Sequence, residues 1–221
     1  MKRERINRRT LTQTASALAG AAVAGSFASA AAQDSTPAAS PVAMEMVDQI
    51  LSAWPDVSRE VAQTVMEKYG PPQEATASFL VWHHNGPWKR TILNRDPVPH
   101  DFPMPHPDLL EQFIDYRVPP EMFDELAQYD GSVIVERTKG EISARCDKEE
   151  MNFLAINLAN DVATGHRSVE EARQFYAETA MAFKNGQSDP YVEGFVFELS
   201  EGNTNDPDHP AMMEGQGTPT S

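Results

Sequence analysis

Residues 148–164 constrain the fold more than any other segment of the chain. Apolar side chains recur through this segment at helical spacing, and Phe153 and Ile156 widen the apolar arc beyond a single stripe. Asp147 is a natural N-terminal cap, and Gly165 ends the pattern. Because a helix with so wide an apolar arc needs neighbours on several sides, the pattern predicts a helix at the centre of the fold.

Two turn signals predict β-hairpins on the N-terminal side of this helix. The first is Asn85-Gly86 and the second is Lys139-Gly140, each between segments of strand-like composition. The predicted strands are 76–83 with 88–93, and 132–138 with 141–146. Counting back from two-residue turns pairs His83 with Trp88 and Val133 with Cys146.

The remaining elements complete an α+β prediction. Short helices are expected at 108–116 and 120–129, and Ser168 with Glu171 has the capping-box pattern that begins another helix. A last strand is expected at 195–199. Because the strands form hairpins and do not alternate strictly with helices, we expect a single α+β domain with an antiparallel sheet of about five strands, two hairpins plus the C-terminal strand.

The chain divides by composition into four parts. Residues 1–32 have the order of a removable export signal, with a basic start, an apolar core and Ala30-Ala31-Ala32 as a cleavage site. Residues 33–43 form a Ser/Pro/Ala linker, 44–199 the α+β domain, and 200–221 an acidic tail expected to be disordered. The apolar core of the signal is too poor in large side chains for a stable membrane anchor.

The start of the chain resembles the twin-arginine (Tat) class of export leaders. The resemblance rests on Asn7-Arg8-Arg9-Thr10-Leu11 and on the Ala/Gly-rich apolar core that follows. Asn7, Leu11 and Gln13 stand where these leaders usually have Ser, Phe and Lys. The resemblance implies export of an already folded protein to the periplasm or the outside of the cell, in some cases with a cofactor bound.

The net charge of the chain limits the classes of partner that it can bind. The formal net charge is −15, with 18 basic and 33 acidic residues. Cleavage after residue 32 removes five basic residues and one acidic residue. The remaining chain has 13 basic and 32 acidic residues, which gives a net charge of about −19. Such a polyanion repels nucleic acid and anionic lipid. A cation, a small ligand or another protein of the cell envelope fits this charge better.

The Pro-rich segment between the hairpins holds the best candidate site. His100, Asp101, His106 and Asp108 place two imidazoles and two carboxylates within nine residues. Imidazole and carboxylate groups bind Zn²⁺ and other first-row divalent ions, so these four residues are a candidate metal site. The alternative is a structured surface loop without a metal, in which Asp108 caps the following helix.

The first hairpin offers a second candidate site. His83, Trp88 and Arg90 are predicted on neighbouring strands, with Arg90 among apolar side chains where a charge needs a partner. Arg90 could bind a ligand carboxylate or phosphate, with Trp88 as a stacking surface. The alternative is an ion pair between Arg90 and one of the chain's own acidic residues.

No motif in the sequence identifies a catalytic residue. Cys146, the one cysteine, cannot form an intramolecular disulfide and is expected on the core side of its strand, where a thiol is usually inert. We therefore expect an exported, non-catalytic protein that binds a ligand or associates with the envelope, with a divalent metal as the candidate cofactor. The alternative is a metal-dependent, hydrolase-like enzyme that uses the loop 100–108.

Overall fold

A six-stranded antiparallel sheet is the framework of the fold in the computed structural model, which describes residues 40–211. The strands are β1 (Glu74–Ala75), β2 (Phe79–Asn85), β3 (Trp88–His100), β4 (His106–Asp115), β5 (Val133–Glu136) and β6 (Glu141–Cys146). Their spatial order is β1-β2-β3-β4-β6-β5. The predicted α+β class is confirmed, with six strands in place of about five.

Helices pack against this sheet. They are α1 (Met44–Leu51), α2 (Asp56–Tyr69), α3 (Phe123–Tyr129), α4 (Glu149–Ala163), α5 (Val169–Lys184) and α6 (Pro190–Glu193), with a 3-10 turn at Pro120–Met122 before α3. α1 and α2 cover strands β2 and β3, while α3 to α6 cover the half of the sheet formed by β4, β5 and β6. Among the described residues, no helix is long and apolar enough to cross a bilayer.

The register of the sheet separates a core face from an open face. One row of paired residues faces the helices and runs through Trp82, Thr91, Gln112, Ala144 and Val133. All five of these residues are buried. The neighbouring row points away from the helices, as expected for a pleated sheet whose successive side chains alternate between faces.

The helix α4 is central, as predicted. Eleven of its 15 residues are buried, and Leu154, Ile156 and Leu158 are fully enclosed. The predicted cap is wrong, because Lys148 occupies the N-cap position and no side chain caps the helix. The capping box of α5 is confirmed, since Ser168 and Glu171 make both of its hydrogen bonds.

A largely buried carboxylate at the start of α4 joins three elements. Glu149 accepts hydrogen bonds from Lys68 and Tyr69 of α2 and from the Trp88 indole of β3. Burial alone raises the pKa of Glu149, but the hydrogen bonds from Lys68, Tyr69 and Trp88 outweigh burial and lower it. The carboxylate therefore stays charged and fixes α2 and the hairpin to α4.

Three elements differ from the prediction. Residues 108–116, predicted as a helix, belong largely to strand β4, which lies inside the sheet between β3 and β6. Residues 195–199, predicted as a strand, have no strand structure. The hairpin registers are shifted by two residues, so that His83 pairs with Arg90 and Val133 with Ala144.

Only part of each end of the chain is among the described residues. The predicted leader 1–32 and the first part of the linker, 33–39, lie outside the described residues, as does 212–221. Within 200–211, the Thr204 hydroxyl donates to the Gly140 carbonyl at 2.7 Å, and Asp206 pairs with Arg137 at 2.9 Å. These contacts hold part of the segment against the turn between β5 and β6.

Candidate metal centre

The turn between β3 and β4 brings the two predicted histidine ligands together. His100 and His106 are cross-strand partners, and their ring centroids lie 4.9 Å apart. Asp108 follows His106 by two residues along β4, so that its side chain points to the same side of the strand. One antiparallel pair of strands therefore presents two imidazoles and a carboxylate together.

The distances within this trio suit a single bound ion. Ligand atoms from His100, His106 and Asp108 all lie within 4.8 Å of one another. His106 Nε2 is 3.1 Å from Asp108 Oδ1, and His100 Nδ1 is 3.4 Å from Asp108 Oδ2. Two ligands placed about 2.1 Å from one tetrahedral ion are separated by about 3.4 Å. Small side-chain adjustments would therefore be enough for all three to reach one ion.

The outer nitrogen of His106 is held by a backbone carbonyl, and that of His100 faces a carboxylate. His106 Nδ1 lies 2.8 Å from the Met104 carbonyl oxygen, an arrangement that places a proton on Nδ1 and turns Nε2 toward Asp108. His100 Nε2 lies 3.6 Å from Asp130 Oδ1, with Nδ1 on the side of Asp108. Metal-binding histidines are commonly oriented in this way by a carbonyl or a carboxylate.

Asp108 is the most informative member of the trio, because it is only 1% exposed. Its Oδ2 accepts a hydrogen bond from the Ser132 hydroxyl. Its Oδ1 is buried without a hydrogen-bond partner, because the nearby His106 Nε2 does not meet it in hydrogen-bond geometry. A buried carboxylate oxygen with no partner is costly, and a bound cation would remove that cost.

The ionisable groups in and around the trio shift one another's pKa values. The Asp108 carboxylate, and after it the Cys146 thiol, raises the pKa of His106 to about 11. Burial raises the pKa of Asp130, against the hydrogen bond from the Ser132 backbone and the nearby His100. Arg145 adds a fixed positive charge, with Nε 4.0 Å from Asp108 Oδ2. The Asp108 carboxylate therefore lies close to both imidazoles and to the Arg145 guanidinium.

The structure brings together three of the four residues predicted as ligands. Asp101 is exposed, and among the described residues the trio forms without it. Asp130, Ser132 and Arg145 surround the trio but were missed by the sequence analysis. Asp130 and Ser132 lie just before β5, and Arg145 is near the end of β6. The predicted second hairpin includes Ser132 and Arg145, but no sequence signal places it beside the loop 100–108.

Only two of the three residues of the second candidate site are neighbours, because His83 and Arg90 are cross-strand partners while Trp88 pairs with Asn85. His83 pairs with Glu74 at 2.6 Å near the edge of the sheet. Trp88 is buried on the core side and stacks on Phe153 at 4.7 Å. The observed register thus pairs His83 with Arg90 in place of Trp88, and Trp88 takes no part in a shared site with them.

Arg90 makes an ion pair with an acidic residue of the chain, which was the alternative to ligand binding. Its guanidinium pairs with Glu141 at 2.9 Å and lies 3.9 Å from the centre of the Phe113 ring. An internal ion pair and a cation–π contact therefore use the groups that a ligand would need.

Cys146 lies beside the trio and lines a cavity of about 510 Å³ together with His106. The thiol is buried, and burial raises its pKa against the lowering effect of His106. Its Sγ donates weakly to Asp147 at 3.5 Å. A thiol with a raised pKa is a poor nucleophile, which favours the structural interpretation of Cys146.

Comparison of the chain with protein-family models, with curated proteins and with solved structures finds no match. The site therefore has to be interpreted from its own geometry.

Proposed function

We propose that this protein is an exported binding protein for one divalent first-row metal ion, held by His100, His106 and Asp108. The observation that carries the proposal is the buried Asp108 Oδ1, which lacks a hydrogen-bond partner and lies 3.1 Å from His106 Nε2, the ring nitrogen that does not face Met104. A metal ion between these atoms would displace the Nε2 proton that the raised pKa of His106 retains, and both atoms would then bind the ion.

The donor set defines the class of ion. Two imidazoles and one carboxylate suit Zn²⁺, Fe²⁺, Ni²⁺ and Cu²⁺, whereas Ca²⁺ and Mg²⁺ prefer sites built from oxygen. The nearby Arg145 weakens attraction for any cation, and the buried Asp130 carboxylate acts against that effect when it is ionised. The nitrogen ligands would therefore decide which ion binds.

Zinc binding tests the proposal directly. We expect the purified, chelator-treated protein to bind one Zn²⁺ in calorimetry with millimolar Mg²⁺ present, which occupies weak sites on this acidic chain. Asp108→Asn and His106→Gln should each weaken the binding about 100-fold or more, because each removes a direct ligand and leaves two.

Two substitutions serve as matched controls. Asp101→Asn removes an exposed carboxylate from the same turn, and His83→Gln removes an imidazole bound to Glu74 at the edge of the sheet. Both variants should bind Zn²⁺ like the unmodified protein. Equal losses in Asp101→Asn and Asp108→Asn, or no zinc binding at all, would refute the metal site.

A metal-dependent enzyme is the second candidate function. The observation that favours it is the number of protein ligands, because three leave coordination positions open, as in catalytic zinc sites. His106 also lines the 510 Å³ cavity, where a substrate could reach the ion. Hydrolysis of chromogenic esters or phosphates by the zinc-loaded protein, abolished by Asp108→Asn, would favour the enzyme over the binding protein.

The export part of the proposal rests on residues 1–32. The arginine pair, the Ala/Gly-rich apolar core and Ala30-Ala31-Ala32 support a cleaved leader of the Tat type. N-terminal sequencing of the extracytoplasmic protein should find a start near Ala31 or Gln33. Replacing Arg8 and Arg9 with lysine should block export, while unchanged export of that variant would argue for the general secretory route.

A further inference from the structure

A half-open cavity of about 510 Å³ lies beside the metal site. Its walls come from the loop between β3 and β4, from the junction of β6 with α4, and from α5. The floor includes Cys146, Met151, Tyr176 and Ala180, which are buried yet border the cavity. The volume is within the range of small-molecule sites, and the floor offers an apolar surface to a ligand.

The charge at the mouth of the cavity is unusual for this chain. Every other lysine among residues 40–211 has a carboxylate within 4.0 Å, but Lys184 has none. The pairs are Lys68 with Glu149, Lys89 with Asp115 and Glu141, Lys139 with Glu136, and Lys148 with Asp147. In a chain of net charge −15, an unpaired ammonium beside an apolar cavity is an exception.

The position of Lys184 directs its charge toward the cavity. Lys184 is near the end of α5, and its Nζ lies 4.0 Å from the Met104 sulfur on the facing loop. Both residues line the cavity. The Met104 thioether is only a weak acceptor, so the ammonium remains able to bind an anion at the mouth.

We propose that this cavity binds a small amphiphilic anion, an aromatic or medium-chain carboxylate or sulfonate. The apolar body of the ligand lies on Met151, Tyr176 and Ala180, and its anionic group pairs with Lys184. Burial of the apolar body supplies most of the binding free energy, and Lys184 selects anions over neutral molecules. His106 borders the cavity, but the proposed contacts with the ligand come from Met151, Tyr176, Ala180 and Lys184, so the site goes beyond the proposed function and does not require a bound ion.

Fluorescence titration with 8-anilinonaphthalene-1-sulfonate tests this site in the folded protein. We expect one dye molecule to bind, with a blue-shifted emission. Lys184→Gln should weaken its binding about fivefold, and Lys184→Glu about 20-fold, because the second change replaces attraction by repulsion. Ala180→Trp should abolish binding by filling the floor of the cavity.

An uncharged dye separates the two parts of the site. N-phenyl-1-naphthylamine should bind the Lys184 variants as tightly as the unmodified protein, and it should fail to bind Ala180→Trp. Because Trp at position 180 could prevent folding, the exposed Lys184→Glu variant keeps the test decisive on its own.

Two further variants complete the test. Lys139→Glu changes a lysine on the β5–β6 turn and should bind the dye normally. Asp108→Asn should also bind the dye normally, even if it loses zinc, which separates this proposal from the metal site. No dye binding by the unmodified protein, or equal binding by Lys184→Glu, would overturn the proposal.

Discussion

Replacing Leu158 with aspartate should prevent the protein from folding. Leu158 is fully buried on α4, whose neighbours on the sheet and on α5 enclose it. A carboxylate at this position would be buried without a partner, which costs more than most domains can lose. Leu158→Ala, which removes only apolar contacts, should lower the free energy of unfolding by about 2–5 kcal/mol.

Circular dichroism and urea unfolding measure both effects. Met181→Asp is the matched control, because Met181 is a large apolar residue that is 48% exposed on α5. The control should fold with little change in stability. A cooperative, near-native urea transition for Leu158→Asp would mean that α4 is not at the centre of the core.

The position of α4 was predictable because the width of its apolar arc agrees with its surroundings. The apolar arc is wide, and the structure places the sheet on one side of the helix and α3, α5 and α6 on others. The Ser168 capping box of α5 was predictable for a related reason, since its hydrogen bonds lie within four residues of chain. Local signals of this kind do not depend on the rest of the fold.

The strand β4 was not predictable in the same way, because buried polar residues disguise its alternation. Asp108 and Gln112 lie on the core face, where a strand pattern would have apolar residues. Gln112 is accommodated there by hydrogen bonds with Thr91 and Asn152, two residues distant in sequence. These partners come together only in the folded protein. From the sequence alone, the polar residues break the strand pattern, and the segment was therefore predicted as a helix capped by Asp108.

For the candidate metal site, the sequence therefore predicted which types of residue take part but not which of them lie together. The sequence placed two imidazoles and two carboxylates in one short segment, and three of the four converge in the structure. Cross-strand pairing of His100 with His106 selects Asp108, on the same strand, over Asp101 in the turn. Because β4 was predicted as a helix, that choice could not be made from sequence.

The C-terminal segment shows how an alternating pattern can arise without a strand. Phe195 lies 5.0 Å from both Trp88 and Phe153, and it also contacts Phe197 at 5.4 Å. These aromatic contacts leave alternate residues half-buried, although no strand of the sheet pairs with the segment. Its backbone is held instead by a side chain of α4.

That side chain is Asn157, a polar residue of α4 that is fully buried. Its Nδ2 donates to the carbonyls of Tyr191 at 3.0 Å and Gly194 at 2.7 Å. Its Oδ1 accepts from the Val196 amide at 3.0 Å. One amide therefore satisfies three backbone groups of the segment that follows α5.

Asn157→Ala should consequently cost about 2–4 kcal/mol of unfolding free energy, because it leaves these backbone groups without partners next to an apolar core. The loss should be concentrated in the segment after α5, so hydrogen exchange of the Val196 amide should accelerate more than that of amides within α4. Urea unfolding and amide exchange measure the two effects.

Asn160→Ala provides the comparison one turn further along α4. Asn160 is half-buried, and its side chain accepts a single hydrogen bond, from the Tyr116 hydroxyl at 2.8 Å. Its replacement should cost only about 1 kcal/mol and leave Val196 exchange unchanged. If both variants lost the same stability, or if Val196 stayed protected in Asn157→Ala, the aromatic contacts of Phe195 would be sufficient to hold the segment. We expect the amide to be required, because aromatic packing cannot satisfy the carbonyls and the N–H group that Asn157 binds.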